Sequence, residues 1–283
     1  MPGMTTVSDI STSLAATDLV TGVLQAMVDV SNLYELCMPI SVPNLRGTIP
    51  ISKADAAIAQ DLEELETSDI EGSTFTYASF DLKKDRARLA VSDESKRRSR
   101  AGDPLQIQIQ DAGMQLASVL DQKVINALET SPQTSATAGA WDTVTNNPLR
   151  DLATAMAALR PYRADFVLMD AEVYGAWLAN DVVKTLTTYS PPAGSGALTV
   201  VPGFNLKIYV DTSGALTAHT ALVGASRFAA AYGYGDVEVN TERDNNLGAT
   251  VYTMDVWRQV VAPIFSNSSS LNKAAYVLTA VTV

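Results

Sequence analysis

Apolar positions along this chain recur at two periods, and each switch of period marks an element. Leu19, Val23, Met27, Val30 and Tyr34 fall at three- and four-residue steps, which predicts a helix from a Thr17 cap to about Leu36, closed by Pro39 and Pro43. From Thr74 the period drops to two. Phe75 and Tyr77 share a face of a strand running to Phe80, Lys83-Lys84-Asp85-Arg86 is read as a polar reversal, and Ala87 to Val91 returns. The expectation is a long charged β-hairpin over Gly72 to Val91. Isolated two-stranded ribbons are marginal in water, so this one needs another surface, first of all a partner subunit. Asp103 and Pro104 then open a helix of about 26 residues, roughly 39 Å long. Ile109, Leu116, Leu120, Val124 and Leu128 keep its apolar stripe, which with the cap outweighs the strand-like alternation of Leu105 to Ile109.

Thr130 to Asn147 reads as a Ser/Thr/Ala loop, Pro148 to Leu159 as a helix, Phe166 to Met169 as a buried strand and Ala171 to Leu186 as mostly helical. Ser190 to Gly196, with two prolines and two glycines, is a loop. Strands follow at Lys207 to Val210, Val237 to Thr241, Val251 to Trp257 and Ala274 to Val283, with a turn at Arg243 to Gly248. No internal repeat is present. The mixture is of the α+β class.

Charge changes this picture. Asp61, Glu63, Glu64, Glu66, Asp69 and Glu71 place six carboxylates in eleven residues. Lys83, Lys84, Arg86, Arg88, Lys96, Arg97, Arg98 and Arg100 then place eight of the twenty cations in eighteen. The two runs are either solvated surface or a complementary pair, within a chain or between copies. Lys96 to Arg100 lie beside the positive end of the long helix, where a cation is disfavoured, so an anionic partner from elsewhere accounts for them better. The net charge of −11 argues against general affinity for DNA or membrane surfaces, yet is compatible with enclosing DNA without gripping it. The 47% apolar content is enough for real cores. No signal peptide and no run long enough for a membrane span is visible, so the product is expected to be soluble and made in the cytoplasm. Asn267-Ser268-Ser269 is therefore a chance sequon.

Catalytic chemistry finds little footing. Cys37 is the only cysteine and reads as buried; His219 is the only histidine, which rules out a triad or a two-histidine metal site within one chain. Gly194-Ser195-Gly196 and Gly233-Tyr234-Gly235 lack the lysine, third glycine and strand–helix context of a phosphate loop. Asp170 and Glu172 are adjacent carboxylates with no sign of hydrolytic geometry, and Tyr232 and Tyr234 lack the interleaved cations of a nucleic-acid surface. No catalytic residue, cofactor site or metal site is expected.

The order of elements resembles the major capsid proteins of tailed double-stranded DNA viruses, those with the Hong Kong 97-type fold. Leu89-Ala90-Val91-Ser92-Asp93-Glu94-Ser95 is similar to that family's end-of-hairpin pattern. Leu116 to Leu128, with Asp121, resembles its spine helix; Phe166 to Asp170 with the helix through Trp177-Leu178 resembles the opening of its axial domain; and Pro202 to Val210 resembles a later glycine-then-strand segment. The resemblance covers roughly residues 18 to 283. It implies an amino-terminal arm and helix at 1–46, an extended β-hairpin loop at 47–100, a peripheral domain with the spine helix at 101–160, an axial domain at 161–235, and carboxy-terminal strands at 236–283 returning to the peripheral domain. It also implies that the extended loop lies across a neighbour. Some relatives cross-link a loop lysine to an asparagine. Lys83 or Lys84 with Asn267 or Asn272 are the candidates here, but no motif fixes the pair, and the lysines are read as ordinary turn residues. Fewer than fifty residues precede the loop, so any scaffolding protein is expected to be a separate chain.

The function expected is structural: self-assembly, as pentamers and hexamers, into an icosahedral virion shell that encloses double-stranded DNA without sequence-specific binding. Scaffolding, portal and decoration proteins are the further partners, and the host cytoplasm is the place of assembly. Phe75, Tyr77, Asp61, Glu63, Glu64, Glu66, Lys83, Lys84, Arg86, Arg88, Arg97, Arg98 and Arg100 are the expected intersubunit contacts. The rivals are a compartment for enzyme cargo on the same fold and, remotely, an acidic hydrolase with the hairpin as its lid.

Overall fold

The structure is a computed structural model that describes residues 21–27, 33–52, 75–92, 94, 104–130, 132–137, 139–143, 146–189, 200–201, 203–245, 248–262 and 271–282. Its axis is helix α1 (Pro104–Leu128), which carries the predicted stripe: Ile109, Leu116, Leu120, Val124 and Leu128 are all buried. The stripe is long enough to serve two sheets. Along its first half, Ile109, Ala112 and Leu116 pack with Val23 against Tyr252, Met254 and Val256 of a four-stranded sheet. Along its second half, Leu120, Val124, Ile125 and Leu128 pack against Phe166, Leu168, Leu222 and Val277 of a five-stranded one.

The four-stranded sheet has the order β1 (Met38–Ser41), β9 (Ala231–Asp244), β10 (Ala249–Val261), β4 (Lys83–Ser92). β1 runs parallel to β9, while β10 is antiparallel to both β9 and β4. Gly248 takes a positive φ of 55° in the predicted turn between β9 and β10, a conformation glycine adopts without steric cost. The five-stranded sheet has the order β5 (Pro132–Ala136), β11 (Asn272–Thr279), β8 (Ala221–Gly224), β6 (Phe166–Asp170), β7 (Lys207–Asp211). Its other face carries α2 (Pro148–Ala158), α3 (Ala171–Ala179) and α4 (Asp181–Tyr189), with Trp141, Leu152, Leu159 and Trp177 fully buried among them. Asn147 caps α2 ahead of Pro148, and Asp170 caps α3 by accepting the Val173 N–H at 2.6 Å.

A third unit stands apart from both sheets. β2 (Arg46–Ser52) and β3 (Phe75–Asp81) form an antiparallel ribbon, two-stranded among the described residues.

Two sequence expectations are corrected. The hairpin is made by β2 with β3, not by β3 with a returning Ala87–Val91: Lys83 to Arg86 is no reversal but the start of a ten-residue strand, β4, that pairs with β10. The one residue between β3 and β4, Leu82, is buried, and burial there fixes the chain's change of direction. The stretch read as a Ser/Thr/Ala loop contains β5, a polar edge strand beside β11. The last strand, β11, lies between β5 and β8 and packs Val277 against the second half of α1. Of the helix expected from Thr17, residues 21–27 are helical and Leu33–Leu36 form a 3-10 turn.

Candidate assembly surface

The ribbon leaves the body at a glycine seat. Phe80 and Leu82 are buried with Val42, Ala78 and Ala231, against Trp257 and Val261 of β10. They fit because β9 presents Gly233 and Gly235 there: a Cβ on Gly233 would lie 2.5 Å from Phe80 Cδ1, and one on Gly235 would lie 3.2 Å from both Leu82 and Trp257. The Asp81 N–H donates to Gln259 Oε1 at 2.6 Å, and the Leu82 N–H donates to the Leu45 carbonyl at 2.8 Å. Beyond this base the ribbon's outer face is open. Phe75 is 56% and Tyr77 71% exposed, and an exposed Arg46–Asp81 pair at 2.9 Å spans the two strands. Large aromatic side chains left bare on a projecting ribbon are the mark of a surface made to be covered.

β4 sorts its charges by face. Asp85, Ala87 and Leu89 point toward α1, while Lys84, Arg86 and Arg88 point away. On the inner side Asp85 accepts from Lys123 Nζ at 2.6 and 2.7 Å and from Arg258 Nε at 2.5 Å. Arg258 is fully buried and also donates to the Leu116 carbonyl of α1 at 2.8 Å. Burial pushes the Asp85 carboxyl upward, but the bonds from Lys123 and Arg258 outweigh it and hold the group below its ordinary value. On the outer side Asp255 accepts from Arg86 Nε and Nη2 at 2.7 and 2.8 Å, and Lys84 Nζ lies 3.0 Å away. The paired Arg86 guanidinium, followed by Lys84, keeps Asp255 well below the usual carboxylate range. Lys84 also stands 4.7 Å over the Trp257 ring.

Of the residues expected at contacts between copies, Phe75 and Tyr77 are exposed, and so are Lys83 and Arg88. Lys84 and Arg86 are partnered within the subunit by Asp255, which the sequence reading did not foresee. Asp61, Glu63, Glu64, Glu66, Arg97, Arg98 and Arg100 lie outside the described residues, as do Asp103, the Ser190–Gly196 loop and Asn267. Lys123, Asp255, Arg258 and the glycine seat were missed. Their signal was the alternation of charge along Lys84 to Arg88, which suits a strand whose two faces both meet countercharges.

The other residues singled out for chemistry have structural employment. His219 Nδ1 lies 2.6 Å from Thr282 Oγ1, and burial pushes the Cys37 thiol up to about 12. Asn272, a candidate cross-link acceptor, is fully buried; its side chain donates to the Ala229 carbonyl and accepts from the Ala274 N–H. Lys83 and Lys84 are strand residues, not turn residues. Among the described residues no three His, Cys, Asp or Glu side chains converge, and no helix is long and apolar enough to cross a membrane.

A family model described as "Phage capsid protein" matches residues 77–271. Among solved structures the chain is similar to a virus-like particle from Pyrococcus furiosus, with 12% identity, 93% of this chain and 98% of that one covered, and a TM-score of 0.64. It is similar to a structure of Microbacterium phage Oxtober96, with 10% identity, 88% and 90% covered and a TM-score of 0.64. It is also similar to the capsid of a native GTA particle, with 14% identity, 87% and 88% covered and a TM-score of 0.62. A search of curated proteins returns no match.

Proposed function

The chain belongs to the phage capsid protein family, as a major capsid protein with the Hong Kong 97-type fold, and we propose that its β2–β3 ribbon is the arm by which one subunit holds the next. Capsid proteins work by repetition, so the subunit's activity resides in its surfaces. The observation that carries the reading is the bare outer face of the ribbon, where Phe75 and Tyr77 stand in solvent beyond a base that is itself well seated. A neighbouring copy is the surface that would desolvate them.

The finer reading is an icosahedral virion shell of a tailed double-stranded DNA virus, built from pentamers and hexamers in the host cytoplasm. Scaffolding, portal and decoration proteins are its further partners. The division into arm, extended loop, peripheral domain and axial domain belongs to this reading, with α1 and the four-stranded sheet as the peripheral body and the five-stranded sheet at the axial core. The acidic run Asp61 to Glu71 and the basic residues Lys83, Arg88, Arg97, Arg98 and Arg100 make contacts between copies, while Lys84 and Arg86 stay on Asp255 of their own subunit. A net charge of −11 suits a container whose wall lets DNA enter and leave, since many phosphate contacts would hold it fast.

Negative-stain electron microscopy of the protein and of a Phe75→Ser/Tyr77→Ser variant tests the arm. The variant is expected to keep the wild-type circular dichroism and Tm, because neither side chain is in a core, and to form no closed shells. Shells of normal size and yield from it would refute the assignment.

A further inference from the structure

We propose that adjacent copies meet head to tail along the two free margins of the four-stranded sheet, β4 of one copy beside β9 of the next. The proposal rests on the assembly reading and names the contact that closes a ring. Neither margin has a further strand on it among the described residues, and on the β4 side Gln108 Nε2 of α1 donates to the Ala90 carbonyl at 3.1 Å. β4 is last in the strand order, and a trough of about 730 Å³ between it and α1 leaves that margin accessible. On the other side β1 covers β9 only from Ala231 to Tyr234, so among the described residues Val237 to Asp244 pair with β10 alone. An uncovered strand edge is a template for another strand, and natural proteins either blunt it or use it.

The charges select the partner. On the β4 margin Arg88, on the outer face, and Lys83, on the α1 face, are exposed and have no ion partner among the described residues. On the β9 margin Glu238 and Glu242 are exposed and equally without one. Glu238 stands in register with Asp255, whose own countercharges, Lys84 and Arg86, are already engaged. Glu238 therefore faces a like charge from within and needs a cation from without. A two-fold contact through β4 would set cations against cations, and one through β9 acids against acids. Only a head-to-tail contact joins opposite signs. The strand directions allow it: β4 and β9 are both antiparallel to β10, so they run the same way within a copy, and a ring axis along the strands keeps β9 parallel to its neighbour's β4. Head-to-tail interfaces that rotate back on themselves make closed rings.

Two charge-reversed full-length chains test this, Lys83→Glu/Arg88→Glu and Glu238→Lys/Glu242→Lys, with assembly followed by native mass spectrometry and electron microscopy and folding by circular dichroism. Each alone is expected to fold and to lose at least about tenfold in assembled fraction, because each sets like charges at every margin. The quadruple variant, with both margins reversed, is expected to assemble again. An equimolar mixture of the two doubles can satisfy every contact only by alternating, so it is expected to give six-membered rings and no five-membered ones. Wild-type assembly by either double, or a folded quadruple variant that stays monomeric, overturns the margin contact and leaves the assembly reading intact. A wild-type chain that forms neither rings nor shells takes both down.

Discussion

Arg258 sits where three elements meet, and its environment leaves it no choice of partners. A fully buried guanidinium is costly unless its donors are engaged, and here they reach Asp85 on β4 and the Leu116 carbonyl on α1. Arg258→Met leaves Asp85 with Lys123 alone and is expected to cost about 3 kcal/mol in urea unfolding, the scale of a broken buried pair; a loss below about 1 kcal/mol would mean that Asp85 is solvated. The two clamped carboxylates also set an acid limit. Asp85 and Asp255 are both held below the unfolded carboxylate value of about 3.9, so their stabilisation is complete above that pH and is lost as pH falls through their lowered folded values. Asp255→Asn is expected to be less stable at pH 7 and to show a shallower loss of urea midpoint below about pH 4 than wild type. Parallel pH profiles would refute that account. In the sequence these residues were visible only as charges. Nothing local says that Asp85 will meet Arg258, which lies 173 positions away.

Among the elements, α1 was the most legible, because a cap, a first-turn proline and a stripe sustained over about five turns all agree. The strand-like start at Leu105 to Ile109 lost to that agreement. β4 was the least legible. Lys83-Lys84-Asp85-Arg86 carries the composition of a turn, and only the countercharges on β10 and α1 make it a strand. β5 was missed for a related reason: Pro132 to Ala136 has no apolar alternation, and its pairing comes from β11, far along the chain. The glycine seat was read as a failed phosphate loop, when the absence of side chains was its purpose. Gly233→Ala puts a methyl group 2.5 Å from Phe80 Cδ1 and is expected to destabilise by about 2 kcal/mol, the usual size of core overpacking. Gly175→Ala, in α3 with nothing within 4 Å of the added carbon, is expected to stabilise by about 0.5–1 kcal/mol. Equal effects at the two positions, measured by thermal unfolding, would remove the seat's special role.

On the scale of the molecule, the fold class could be read from the order of elements, while the sheet topology could not. Which strands become neighbours is decided by contacts between distant parts of the chain, as β11 beside β5 and β4 beside β10 both show. The ribbon's attachment has a mechanical consequence. Its two limbs spring from opposite rims of the four-stranded sheet, β2 from β1 by a short turn and β3 into β4 through Leu82. They do so on one transverse line, where Ser41, Tyr234, Arg258 and Lys83 stand abreast, about 14 Å from rim to rim. A bucket handle fixed at both rims transmits torque to the bucket and does not swivel on it. A load taken up at Phe75 and Tyr77 is therefore delivered to both rims at once, and the sheet beneath turns as a single plate.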